Sequence, residues 1–191
     1  MKNQEEFSFG DNMNITVFLS SKPAKDPVFS EKTKYIGNKI ASEGHTLVFG
    51  GSNSGLMADL CNSALAGGAK VIGVEPDTPF IRAKAHPGLS EVIWTASMSE
   101  RKEKMLELAD VILVLPGGSG TFDEMGDIVQ ANCVGNTKKP CVIVNIAGFY
   151  DPLYQLFDNM SKQGYNDPRL DRICIMSDID EIFSMIAGKE F

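Results

Sequence analysis

Val111-Ile112-Leu113-Val114-Leu115-Pro116-Gly117-Gly118-Ser119-Gly120-Thr121-Phe122-Asp123-Glu124 is the stretch from which the fold is read. Its first five residues are apolar on both faces, the pattern of a parallel strand covered by helices on each side of its sheet. Gly117, Gly118 and Gly120 let the chain turn tightly, and apolar spacing over 122–134 predicts the helix that follows. Outward from this unit, short β-rich runs at 15–19, 46–49, 70–74, 141–146 and 173–176 alternate with helical patterns at 29–42, 55–66, 99–109, 153–163 and 179–186. Strand, helix, strand, helix predicts an α/β protein, a doubly wound Rossmann-like three-layer sandwich with a mainly parallel sheet.

With 191 residues, no repeat and no linker, the chain reads as a polar N-terminal tail over 1–13 and a single Rossmann-like domain over 14–191. The least regular stretch, 75–90, carries Pro76, Pro79, Pro87 and Gly88 and reads as a long loop at a strand's carboxyl end, the edge where such sheets hold ligands.

Composition narrows the function classes. A formal net charge of −7 argues against a nucleic-acid or membrane-surface binder, since both partners are polyanions that require a basic face. Apolar runs are far shorter than the roughly 20 residues of a bilayer-spanning helix, and the acidic start is unlike a signal peptide. The four cysteines, at 61, 133, 141 and 174, lack C-x-x-C spacing, and only His45 and His86 could join them. No metal site is expected, and the cysteines read as small residues of a reduced, cytoplasmic protein.

Two segments carry chemistry. In Pro116 to Glu124, glycines admit close approach of a ligand, and the free N–H groups of the helix start form an anion cradle suited to a phosphate. A second glycine turn, Gly50-Gly51-Ser52-Asn53-Ser54-Gly55, also lies between strand and helix and can converge on the same edge. The bland alternative is a capping box between Thr121 and Glu124 with no ligand. The other segment is Met98-Ser99-Glu100-Arg101-Lys102, where Ser97 and Glu100 also fit a capping box. Cations in a first helical turn oppose the helix dipole, so an anion near Arg101 and Lys102 would offset their placement. His86 is a weak candidate for base contact, and His45 and Trp94 read as structural.

Together these segments resemble the LOG (LONELY GUY) phosphoribohydrolases, often mislabelled as lysine decarboxylases. The hallmark P-G-G-x-G-T-x-x-E is matched by Pro116 to Glu124, and M-x-x-R-K by Met98, Arg101 and Lys102. Further likeness covers Phe49 to Met57, the strand at 71–74, Lys138-Lys139-Pro140 and Gly148-Phe149-Tyr150. The resemblance implies cleavage of the N-glycosidic bond of nucleoside 5'-monophosphates, AMP or a cytokinin-type purine nucleotide, to free base and ribose 5-phosphate. It places Arg101 and Glu124 on the catalytic positions. Substrate and phosphate contacts would fall to Gly117, Gly118, Ser119, Gly120, Thr121, Lys102, Gly51, Ser21 and Met98. It implies no cofactor, and a homodimer packed near the helix over 122–134. The chain departs from the family pattern at Leu19, where a glycine is usual, at Ser52, and at Ala131 and Cys133. No lysine is singled out for a pyridoxal phosphate Schiff base. The alternatives are a non-catalytic nucleotide or molybdenum-cofactor carrier of the same fold, and a transferase passing the phosphoribosyl or ribosyl unit to another acceptor.

Overall fold

The computed structural model describes residues 12–165 and 173–188. Within them the chain runs β1 Asn14–Phe18, α1 Pro27–Ser42, β2 Thr46–Phe49, α2 Gly55–Ala66, β3 Val71–Pro76, α3 Pro79–Arg82, β4 Glu91–Thr95, α4 Met98–Leu108, β5 Val111–Val114, α5 Ser119–Cys133, β6 Cys141–Val144, α6 Asp151–Lys162, β7 Ile173–Met176 and α7 Ile179–Gly188. The seven strands form one sheet in the order β4-β3-β2-β1-β5-β6-β7, every pair parallel. The expected doubly wound sandwich is found.

Alternate residues of the central strands feed two cores. Ile15, Val17, Leu47, Phe49, Leu113 and Val142 pack with α1, α2 and α7, while Phe18, Val48, Ile112, Val114 and Ile143 pack with α4 and α5. This is why those strands read as unbroken apolar runs. Helix starts follow local chemistry. Asp26 accepts from the Val28 N–H at 3.0 Å ahead of Pro27, and Ser97 Oγ accepts from the Glu100 N–H at 3.1 Å while the Glu100 carboxylate accepts from the Ala96 N–H at 2.8 Å.

The structure differs from the sequence expectation in the stretch read as one long loop. That stretch ends β3 two residues later, holds the short α3, and leads into an edge strand, β4, that the apolar pattern does not reveal. Glu91 is exposed and Val92, Ile93 and Trp94 are only half-buried, so this edge strand lacks the fully apolar signature that β7 at the other edge keeps. Helix α5 begins three residues before the expected 122, inside the glycine run. Of the expected N-terminal tail, residues 1–11 lie outside the described part. Met13 belongs to the core, its side chain buried and its N–H donated to His45 Nδ1 at 3.3 Å.

Candidate active site

The winding direction of the sheet changes between β1 and β5, and their carboxyl ends open the crevice where such folds bind ligands. The Leu115 N–H donates to Phe18 O at 2.9 Å, and the Tyr150 hydroxyl donates to Leu115 O at 2.9 Å, so the chain enters the glycine run from a fixed point. Gly118 is the N-cap of α5 at φ −97° and ψ −154°, and no side chain caps this helix. Its first N–H groups therefore face outward without an intrahelical acceptor. A Cβ at Gly118 or Gly120 would meet no atom within 4 Å, so neither packing nor backbone geometry demands glycine at either place. At Gly120, inside the first turn, glycine costs up to about 1 kcal/mol relative to alanine, and the absence of side chains at both places leaves the N–H groups of the helix start open to an anion. At Gly117 a Cβ would overlap the buried Thr121 hydroxyl. The capping-box alternative is overturned: Thr121 lies inside the helix, and Glu124 turns its carboxylate elsewhere.

That partner is Arg101. Its Nη1 donates to Glu124 Oε1 at 2.7 Å and its Nε to Val74 O at 3.0 Å, with Arg101 and Glu124 only 5% and 6% exposed. Burial pushes the Glu124 carboxyl above the usual carboxylate range, and the Arg101 charge pulls it back. The second glycine turn closes over the same guanidinium, where a Cβ at Gly50 would overlap Arg101 Nη2. Both glycine turns thus meet at one edge, joined through Arg101.

The other expected site residues are placed as follows. Gly51 is buried with φ +76°, and its carbonyl accepts from the His86 N–H at 2.8 Å. Ser21 is exposed on the turn after β1, whose backbone packs against Gly55 at the start of α2. Ser119 and Met98 are exposed at the starts of α5 and α4. Lys102 is paired with α5, its Nζ 2.9 Å from Asp123 Oδ2 and 2.6 Å from Asp127 Oδ2, and these two carboxylates raise its pKa. A groove of about 700 Å³ runs between α4 and α5 along Lys102, Leu106, Ile128 and Ala131 and reaches Glu124, but neither Arg101 nor the glycine run lines it.

Several residues fall to structure. His86 has both ring nitrogens engaged, with the Gly88 N–H at 3.1 Å and Asn62 Oδ1 at 3.1 Å, which corrects its reading as a base contact. Leu19 is buried in the core where the family pattern has glycine. The four cysteines are free, and burial pushes the Cys61 thiol up to about 12. Among the described residues no cluster of His, Cys, Asp or Glu could hold a metal, and no helix is long and apolar enough to cross a membrane.

One group escapes the sequence reading. Glu75, next to last in β3, is 3% exposed, and its Oε1 is enclosed without a hydrogen-bond partner. The legible signal is a lone carboxylate directly after a strand apolar on both faces, at the edge that carries the ligand.

The family model described as "possible lysine decarboxylase" matches residues 57–186. A cytokinin riboside 5'-monophosphate phosphoribohydrolase of Rhodococcoides fascians is 33% identical over 175 residues, 91% of this chain and 88% of the relative. A probable cytokinin riboside 5'-monophosphate phosphoribohydrolase of Oryza sativa subsp. japonica is 34% identical over 151 residues, 79% of this chain and 68% of the relative. Among solved structures, the molybdenum cofactor binding protein of Rippkaea orientalis superposes with a TM-score of 0.71 at 19% identity, covering 97% of this chain and all of that one, a likeness of fold.

Proposed function

The chain belongs to the LOG family of cytokinin riboside 5'-monophosphate phosphoribohydrolases, and from that membership we propose that it hydrolyses purine nucleoside 5'-monophosphates, AMP or a cytokinin-type nucleotide, to free base and ribose 5-phosphate. The observation that carries the residue-level reading is the buried Arg101–Glu124 pair within two turns of an uncapped, glycine-lined helix start. The N–H groups of Ser119, Gly120 and Thr121 hold the 5'-phosphate, with Gly117 and Gly118 giving it room. This sets the ribose toward Glu124. Breaking the C1'–N bond builds positive charge on the sugar ring, which a buried carboxylate stabilises, and the same carboxylate orients the water that attacks C1' and takes its proton. The electron pair of the broken bond leaves with the base, which takes up a proton from solvent, while Glu124 returns to solvent the proton it removed from the attacking water. Arg101 fixes Glu124 in place and offsets charge on the leaving group.

The word decarboxylase in the family's description finds no support at the site. A Schiff-base lysine needs a lowered pKa, whereas Lys102 is held protonated by Asp123 and Asp127. A pure carrier needs a cradle but has no use for a buried acid bonded to a guanidinium. The exposed Phe122 on α5 and Val134 just after its end, beside the α4–α5 groove, favour a homodimer formed across this face, readable by light scattering. The net charge of −7 and the free cysteines favour a cytoplasmic enzyme whose partner is a small nucleotide.

The test is chromatography of AMP and isopentenyladenosine 5'-monophosphate after incubation with wild-type protein and Glu124→Gln. Wild type should release free base and ribose 5-phosphate. The variant, whose amide still accepts from Arg101, should be slower by roughly 10²-fold or more. Equal rates would remove Glu124 from the chemistry.

A further inference from the structure

Glu75 is a second buried carboxyl beside Arg101, and nothing derived so far uses it. Three contacts fix the relationship. Arg101 Nε is bonded to the carbonyl of Val74, the residue immediately before Glu75, at 3.0 Å. The consecutive Gly50 and Gly51 cover both groups, so that a Cβ at Gly50 would overlap the guanidinium and one at Gly51 would overlap the Glu75 carboxyl. Arg101 is also the charged group that acts on Glu75 through space. Yet the two carboxyls are treated differently. Glu124 has a direct 2.7 Å bond from Arg101, whereas Glu75 Oε1 is enclosed with no donor.

One guanidinium cannot neutralise two buried carboxylates, and the one without a donor is the one that keeps a proton. Resting on the hydrolase reading above, we propose that Glu75 is a positioning residue of the reaction centre, whose protonated carboxyl leaves Arg101 committed to Glu124 and whose ionisation draws Arg101 away. Ionisation also changes the site from neutral to net negative, opposing a phosphorylated substrate. Burial pushes the Glu75 carboxyl up to about 7, which sets the pH at which this happens. The other titratable groups nearby are accounted for. His86, packed on Gly51, is lowered by burial and held at both nitrogens, and Asp77, two residues on, is bonded to Arg82 at 2.8 Å and lowered by it. Both shifts run away from pH 7, His86 downward from 6.5 and Asp77 downward from 3.8. Thr95, whose hydroxyl donates to Glu75 O at 3.3 Å, does not titrate.

The experiment compares kcat/KM of wild type and Glu75→Gln for AMP and isopentenyladenosine 5'-monophosphate from pH 6 to 9, with AMP affinity by calorimetry over the same range. The substrate phosphate titrates alike for both proteins, so the ratio isolates Glu75. The variant-to-wild-type ratio should rise at least about threefold between pH 6.5 and 8.5, with its midpoint near 7. A ratio constant with pH overturns the proposal, and so does a folded variant inactive at every pH, since that would make the carboxyl proton itself a reactant. If Glu75→Gln does not fold, Glu75→Leu serves in its place. A wild type that binds AMP without cleaving it fails the hydrolase reading, and the pH dependence of binding then decides this one.

Discussion

Adding a single methyl group at Gly50 should separate the position of Arg101 from its presence. The backbone there does not need glycine, since Gly50 is not among the positive-φ residues, so Gly50→Ala introduces no conformational strain. The new Cβ would overlap Arg101 Nη2 and lie 3.0 Å from Met57 Cε, and the methionine can move aside. Arg101 cannot move without giving up its bond to Val74 O or to Glu124, and a hydrogen bond to a charged group is worth about 1.5–3 kcal/mol. Burying a methyl returns about 0.8 kcal/mol, and the stiffer unfolded chain about 0.4–1 kcal/mol. The balance is a loss of about 1 kcal/mol, a fall in Tm of about 2–4 °C for a domain of this size. Turnover should suffer far more, because displacing a positioning group by ~1 Å costs about 10²-fold. Thermal melting and base release measured on the same preparation check both halves. Wild-type turnover in Gly50→Ala would refute the claim that this turn holds the guanidinium in its working place.

At Gly118 the contrast should run the other way: Gly118→Ser supplies the cap that α5 lacks, raising stability by about 0.5 kcal/mol or less, while its hydroxyl competes for the N–H groups that hold phosphate and raises KM about tenfold or more. Unchanged KM in that variant would mean that the cradle does not bind substrate. Arg101→Met leaves Glu124 buried without its partner and should destabilise by about 3–5 kcal/mol, and adding Glu124→Gln should recover part of that loss in denaturant unfolding without restoring turnover. The stability of wild type should also fall with rising pH relative to Glu75→Gln. A carboxyl at about 7 when folded and 4.5 when unfolded keeps its stabilising proton fully below 4.5 and loses that contribution as pH rises to 7. The difference amounts to about 3 kcal/mol between pH 4.5 and 8. His45 and His86 contribute equally to both proteins, so parallel curves would show that Glu75 is not protonated in the fold.

The fold was legible because its central strands are buried on both faces, so that periodicity and burial coincide at Val111–Val114 and Cys141–Val144. Legibility failed where that coincidence ends. At the edge, β4 is half-buried and mixes Glu91 with Val92 and Ile93, which no apolar pattern distinguishes from a loop. The start of α5 was obscured by Gly118 and Gly120, because glycine at a helix start contradicts local helix propensity. For the site, Arg101 and Glu124 stood out through the motifs shared with the LOG family, but their 2.7 Å contact joins two helices, bridges residues 23 apart in sequence and depends on the sheet order. Glu75 stayed invisible for a related reason. A carboxylate after a strand is ordinarily a solvated turn residue, and only the Gly50–Gly51 turn folding over it makes it a buried acid.

The salt dependence of turnover tests the proposed phosphate site. A protein of net charge −7 repels a phosphate dianion at long range, whereas the proposed cradle would hold it at contact distance through backbone N–H groups, well inside the screening length. Lys102, the nearby cation expected to assist, has its charge answered by Asp123 and Asp127 at 2.9 and 2.6 Å. Raising ionic strength from ~0.01 to ~0.15 M shortens the screening length from about 30 to 8 Å and weakens the repulsion while leaving the cradle intact. Steady-state kcat/KM should therefore stay level or rise over that range, by about twofold at most. A phosphate site built on free lysine or arginine charge would behave oppositely, losing affinity with each increment of salt. A steep decline would mean that Lys102 breaks its pairing with the two aspartates on binding, and that the cradle is held by side-chain charge and not by the start of α5.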